Sequence, residues 1–223
     1  MKTAIIVGHS SGLGFAVTKA LIDRQYRVIG VARSINSIKS ELLENIQVDL
    51  SKKEGIEKAI LEIKNKYSQF DFIVYCASLL TAHNIDNLNY DDTEQLYKVN
   101  VFAPLMFESG LLSLIRRNEA DIINITSSAL IEYYPAFAEY SSAKAALQKF
   151  TKDLQEELKE TSSRVIEFCP GAFASNIYKN MTGDKINRNE AAQVSAKEYA
   201  DIIVYILELP KKMEVRYIYV DRK

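Results

Sequence analysis

Thr3-Ala4-Ile5-Ile6-Val7-Gly8-His9-Ser10-Ser11-Gly12-Leu13-Gly14 carries a short β-branched segment into a turn with three glycines, and a helical pattern runs on from Gly14 to Gln25. Glycines at such a turn let the backbone swing sharply and come close to a ligand. The helix that follows offers its first N–H groups and its positive dipole end to an anion. The spacing G-x3-G-x-G differs from G-x-G-x-x-G and from a P-loop, which ends in Gly-Lys-Ser/Thr. Spacing alone leaves two readings open, a phosphate-binding turn and an ordinary strand–helix turn. Position separates them, because dinucleotides bind at the first strand–helix junction of an α/β chain. Gly8, Ser10, Ser11, Gly12, Leu13 and Gly14 are therefore the candidate cofactor turn.

Further along the chain the same alternation repeats. Strand-like runs are expected at Thr3–Val7, Arg27–Ala32, Ile46–Leu50, Phe72–Cys76, Asp121–Thr126, Arg164–Cys169 and Arg216–Val220. Helical patterns are expected at Gly14–Gln25, Lys53–Tyr67, Thr93–Arg116, Ser142–Lys159 and Lys197–Leu207. The strands are nearly continuous in apolar residues, as strands covered on both faces are. In the third helix Leu96, Val99, Asn100, Ala103, Phe107, Leu111, Leu114 and Ile115 share one side, a core-facing stripe. Alternation this regular predicts the α/β class: a doubly wound, Rossmann-like parallel sheet of about seven strands with helices on both faces. One domain over residues 1–223 is expected, with an irregular lid at about 171–195.

The 223 residues carry 28 basic and 29 acidic side chains, so no excess charge is available to neutralise phosphates and no nucleic-acid partner is expected. Cys76 and Cys169 sit in apolar runs and read as reduced thiols rather than a disulfide. No apolar run is read as reaching the roughly 20 residues needed to span a bilayer, and no signal sequence is seen, so a cytoplasmic protein without a membrane partner is expected. His9 has no ligand-spaced partner, which leaves no metal site to expect.

The second strand ends Val31-Ala32-Arg33-Ser34. An acid there would hold the adenosine ribose of NAD and repel the extra phosphate of NADP; Ala32 stands in its place and Arg33 follows, with a guanidinium suited to phosphate. NADPH/NADP rather than NAD is the cofactor expected, with His9, Ser10 and Ser11 near the same phosphate. Asp49 either accepts from the adenine amino group or caps the turn into Ser51.

Tyr140-Ser141-Ser142-Ala143-Lys144 sets a tyrosine and a lysine on one helix face. With thirteen tyrosines and nineteen lysines, that pair alone says little, and Tyr219 with Lys223 makes a second one. Context favours the first. Ser127 ends the strand Asp121–Thr126, at the sheet edge where ligands bind, and Asn100 puts a polar group on a core-facing stripe.

Taken together, the chain resembles the short-chain dehydrogenase/reductase family in its compact form, over essentially its whole length. Gly8, Gly12 and Gly14 match the family's cofactor turn, and Asn100, Ser127, Tyr140 and Lys144 match its four catalytic positions in order and spacing. Cys169-Pro170-Gly171 matches the motif whose following backbone, through Phe173 to Ser175, holds the nicotinamide carboxamide. The resemblance implies that Tyr140 is the general acid/base, that Lys144 lowers its pKa from about 10 and holds the nicotinamide ribose, and that Ser127 bonds the substrate oxygen. It further implies that Asn100 holds a water joining Lys144 to solvent, and that long helices pair copies into a homodimer or homotetramer.

The chain departs from the family at Tyr75-Cys76-Ala77-Ser78, where Asn-Asn-Ala-Gly is usual; only Ala77, a candidate cofactor contact, survives. Ser175 replaces a threonine and keeps its hydroxyl. Leu79, Leu80, His83, Tyr133, Tyr134, Phe137, Phe173, Ile177, Tyr178 and Met181 either frame an apolar pocket for a small ketone, aldehyde, diketone or alcohol or have their aromatics packed in the core and lid. The competing expectation is a non-catalytic NADP(H)-sensing protein on the same fold.

Overall fold

The computed structural model describes residues 1–174, 177, 182–183 and 194–221. The elements are β1 (Thr3–Val7), α1 (Gly12–Asp23), β2 (Arg27–Ala32), β3 (Leu43–Gln47), α2 (Lys53–Lys66), β4 (Phe72–Tyr75) and β5 (Thr81–Ala82). Next come α3 (Tyr90–Tyr97), α4 (Ala103–Asn118), β6 (Asp121–Ile125), α5 (Ala138–Glu157) and β7 (Val165–Pro170). The chain closes with β8 (Phe173–Ala174), β9 (Thr182–Gly183), β10 (Val194–Ser195), α6 (Ala196–Glu208) and β11 (Tyr217–Val220).

Seven strands pair in the order β11-β7-β6-β4-β1-β2-β3, all parallel. Side chains alternate across such strands. Ile5 and Val7 therefore face α2, α4 and α5, while Ala4 and Ile6 face α1 and α6. Both faces are covered, which is why the strands read as continuous apolar runs. The chain leaves β1 in one direction along the sheet and returns at β4 in the other. The crevice between their C-terminal ends is the switch point at which open α/β sheets bind ligands.

Three elements differ from the sequence expectation by three residues or more. β3 is Leu43–Gln47, not Ile46–Leu50. Val28 pairs with Leu43 and Ala32 with Gln47, so the ladder is set by β2 and closes where Val48 N–H donates to Ala32. Val48 and Leu50 are buried beyond the ladder, and their apolar pattern drew the expected strand too far along. α5 begins at Ala138, four residues early, which puts Tyr140 inside the helix.

The expected helix Thr93–Arg116 begins at Tyr90 and widens at Lys98–Phe102 into a π-helical stretch that contains Asn100. Such insertions often mark functional positions. By length and composition the 29-residue run Tyr90–Asn118 is apolar enough to cross a membrane, contrary to expectation. Leu96, Ala103, Phe107, Leu111 and Ile115 are fully buried in the protein, however, so this is a core helix.

Candidate active site

At the switch point β1 runs into the glycine turn, and Gly8 takes φ +85° and Gly12 φ +54°, values that side-chain-bearing residues rarely adopt. A Cβ on Gly8 would stand 2.6 Å from Ala77 N, and one on Gly14 would stand 2.2 Å from the Gly8 carbonyl oxygen. The turn, the start of α1 and the chain leaving β4 are thus pressed together in a way only glycine permits. Ser11 precedes α1 without a side-chain cap, leaving the first N–H groups of the helix to an outside acceptor. That is the cradle a pyrophosphate fits.

One cavity of about 470 Å³ extends from this turn across the sheet edge. Gly8, Ser10, Ser11, Gly12, Leu13, Arg33 and Asp49 line one half; Ser127, Tyr140, Lys144, Pro170, Gly171 and Phe173 line the other, with Ala77 between them. Tyr140 and Lys144 come from α5 and Ser127 from the end of β6, and all three face the same space.

Lys144 is 2% exposed, and its Nζ donates to the Ile125 carbonyl at 2.8 Å and lies 5.7 Å from the centre of the Tyr140 ring. Burial pushes its pKa down to about 8, against the opposite pull of the Cys76 and Cys169 thiols. Tyr140, 8% exposed, closes an aromatic file with Phe137 and Tyr134 whose ring centres lie 6.1 and 5.9 Å apart. Ser127 Oγ accepts from Ala129 N–H at 3.2 Å, which leaves the hydroxyl hydrogen to donate into the cavity.

Asn100 is tied to the chain leaving β4. Its Oδ1 accepts from Leu79 N–H at 2.8 Å and its Nδ2 donates to Leu79 C=O at 2.9 Å. The amide therefore clamps the chain leaving β4, the wall that Leu79 and Leu80 add to the cavity.

Asp49 forms the turn cap: its Oδ1 accepts from Ser51 N–H at 3.0 Å and from Ser51 Oγ at 2.8 Å. Burial pushes its pKa up, but these bonds and the Arg33 charge outweigh it and leave the carboxyl below its ordinary value. Asp49 sits two residues past β3, still on the cavity wall.

His9 does not reach the cavity. It is 1% exposed, with its ring packed over Gly30 and its Nε2 2.6 Å from Asn45 Oδ1. Gly30 leaves room for an imidazole there, and the ring turns inward. Tyr133 is 84% exposed, and His83 is held between two carboxylates, so neither frames the pocket. Tyr134, Phe137 and Ile177 do line it. Ser175, Tyr178, Met181 and Lys223 lie outside the described residues. The rival tyrosine, Tyr219, donates to Asp221 Oδ2 at 2.8 Å, away from the cavity. Cys76, Gln95 and Val99 also line the cavity without having been singled out; only Cys76, inside the segment that departs from the usual pattern, carried a signal.

Comparison with known proteins places this geometry. The model of the short chain dehydrogenase family matches residues 2–186. An uncharacterized oxidoreductase of Staphylococcus saprophyticus is 27% identical over 96% of this chain and 94% of its own. The crystal structure of a short chain dehydrogenase family protein from Francisella tularensis superposes with a TM-score of 0.86 at 25% identity, covering 99% of this chain and 97% of that one. The alcohol dehydrogenase of Thermococcus sibiricus, complexed with 5-hydroxy-NADP, superposes with a TM-score of 0.89 at 24% identity over 99% and 96% of the two chains.

Proposed function

The chain belongs to the short chain dehydrogenase family and is an oxidoreductase of it, and from that premise we propose that it reduces small apolar or aromatic ketones, aldehydes or diketones with NADPH. The observation that carries the reading is the single cavity whose lining joins the glycine turn and Arg33 to Ser127, Tyr140 and Lys144. The glycine turn and uncapped α1 fit a pyrophosphate, and Arg33, exposed on the cavity wall with no acid beside it at Ala32, fits the extra phosphate of NADP. The alcohol dehydrogenase described above holds an NADP analogue on the same fold.

A nicotinamide bound there supplies the hydride. As negative charge builds on the substrate oxygen, Tyr140 yields its hydroxyl proton to that oxygen. Ser127 donates a hydrogen bond to the same oxygen, a stabilisation that counts most in a dry site. Lys144, a buried cation beside the Tyr140 ring, steadies the phenolate left behind. Leu79, Leu80, Phe137 and Ile177 give the substrate half an apolar lining, without a guanidinium or carboxylate among the described residues. By likeness to the family the protein acts in the cytoplasm as a homodimer or homotetramer.

Fluorescence titration with NADPH and NADH, followed by a panel of aromatic diketones, quinones and aldehydes, tests this. Preferential NADPH binding and oxidation on adding a diketone is the expected result; binding of neither cofactor overturns the reading. Arg33→Asp is expected to move preference towards NADH, and unchanged selectivity would show that Arg33 does not read the phosphate. The segment Tyr75-Cys76-Ala77-Ser78, where Asn-Asn-Ala-Gly is usual in the family, favours one second reading, an NADP(H) sensor without turnover. Tight binding with no turnover across the panel would support it.

A further inference from the structure

Tyr140 is preceded by Glu139, a carboxylate 4% exposed that the proposed chemistry does not use. A buried carboxylate is costly unless its oxygens are met by donors. Both are met from one distant segment: Thr81 Oγ1 donates to Oε2 at 2.6 Å, and His83 Nδ1 stands 3.1 Å from Oε1. The other ring nitrogen of His83 lies 3.3 Å from Asp92 Oδ2 on α3. One imidazole therefore bridges α5 to α3. Two further ties reinforce it. His83 N–H donates to Ala136 C=O at 2.9 Å. At the end of α3, Tyr97 OH donates to Ser142 Oγ at 2.9 Å, and Ser142 Oγ donates to Glu139 C=O at 2.8 Å.

These three elements build the substrate half of the cavity. Leu79 and Leu80 come from the segment between β4 and β5, Gln95 from α3, and Phe137 and Tyr140 from the start of α5. Leu80, Ala82 and Leu96 pack in one cluster with Phe137 and Tyr140. β5 also pairs with β9, so the same segment carries part of the chain beyond β7. Apolar packing alone fixes such a wall loosely, since it is non-directional. A carboxylate bonded on both oxygens fixes its distance and angle.

We propose that Glu139 is a positioning residue which, through Thr81, His83 and Asp92, holds the substrate-side wall in register with Tyr140; the proposal rests on the carbonyl-reductase reading. It does not touch substrate or cofactor. Its effect is on how the carbonyl lies against the tyrosine hydroxyl, where a misplacement of about 1 Å costs on the order of 100-fold in rate.

The test uses the whole protein with Glu139→Ala, Glu139→Gln, His83→Ala and the double variant Glu139→Ala/His83→Ala. Three readouts are taken: amide hydrogen exchange over residues 79–97 without substrate, NADPH affinity, and kcat and KM with 1-phenyl-1,2-propanedione. Glu139→Ala and His83→Ala are each expected to speed exchange at least about tenfold and to cut kcat/KM about 10- to 100-fold, with NADPH affinity within about twofold of the parent. The double variant is expected to be no worse than either single one, because both break the same clamp. Glu139→Gln, which keeps an acceptor for Thr81, is expected to fall between and serves if the alanine variants do not fold.

Unchanged exchange overturns the clamp. Faster exchange with undiminished kcat/KM overturns the positioning role and leaves a purely structural contact. A parent protein that binds NADPH but turns over no carbonyl compound overturns the reductase reading, while the exchange data still decide the clamp.

Discussion

Two buried cations stand at opposite ends of one strand. At the start of β6, Arg164 meets Asp121 through Nη2 at 2.7 Å and Nε at 3.1 Å, and its Nη1 donates to the Leu209 and Met213 carbonyls. At the end of β6, Lys144 donates to the Ile125 carbonyl, and among the described residues no carboxylate pairs with it. The two are equally hidden, at 6% and 2% exposure. The first charge is neutralised, so the N-terminal edge of the sheet is held shut. The second is left with its field aimed at the cavity, where an anion can use it. Glu108 shows a third solution. Asn124, also on β6, donates to its Oε2 at 3.3 Å, while Glu108 Oε1 and Asn124 Oδ1 have no donor. Burial pushes the Glu108 pKa up to about 8, so the carboxyl stays largely protonated at neutral pH. Three buried ionisable groups thus meet one strand: one is paired, one is cancelled by a proton, and one faces the cavity with no carboxylate beside it among the described residues.

Breaking the functional end has the largest expected effect. Tyr140→Phe removes the proposed proton donor, and turnover is expected to fall about 10²- to 10⁴-fold with NADPH affinity retained; steady-state rates and a titration check both. Breaking the structural end does the reverse. Arg164→Ala leaves Asp121 buried with Lys211 and the backbone N–H of residue 164 but no guanidinium, and a loss of about 3–5 kcal/mol in unfolding free energy is expected, read by urea melts. Activity per folded molecule should hold.

Glu108→Gln sharpens the middle case, since an amide can donate where the carboxyl proton did. An acid whose pKa is raised in the folded state destabilises as pH climbs past its unfolded value near 4.5, and the whole cost is present above about 8. The variant should match the parent near pH 4.5 and exceed it at pH 8 by on the order of 2–4 kcal/mol, which urea midpoints at the two pH values measure. Lys144→Met is the smallest in stability and the most telling. A lysine whose pKa is lowered to about 8 destabilises the fold at every pH below that, the cost fading between about 8 and 10.5. The variant is expected to gain on the order of 1–3 kcal/mol at pH 7 while losing turnover and cofactor affinity. A less stable variant would mean that Lys144 is held for the fold, and the contrast with Arg164 would collapse.

Much of this was legible beforehand, for local reasons. Gly8, Gly12 and Gly14 announce a turn that only glycine tolerates, and the apolar runs of β1, β4, β6 and β7 announce strands covered on both sides. Tyr140 and Lys144 share a helix face by period alone. What was misread depended on partners. β3 slid by three residues because its register belongs to β2, not to its own apolar pattern. His9 looked like a phosphate ligand until Gly30, on the neighbouring strand, made a slot for its ring. His83 looked like a pocket residue until Glu139 and Asp92 took both its nitrogens.

The sequence by itself determined the strand–helix order, the parallel sheet and the residue types at the glycine turn and at Asn100, Ser127, Tyr140 and Lys144, because period and glycine conformations are properties of a few consecutive residues. Only the tertiary structure decided which buried charges are paired and which face the cavity. Arg164 and Lys144 are equally polar in sequence; one meets a carboxylate from 43 residues away and the other meets a carbonyl. The energy of a buried charge is set by what surrounds it in space, and distance along the chain does not carry that information.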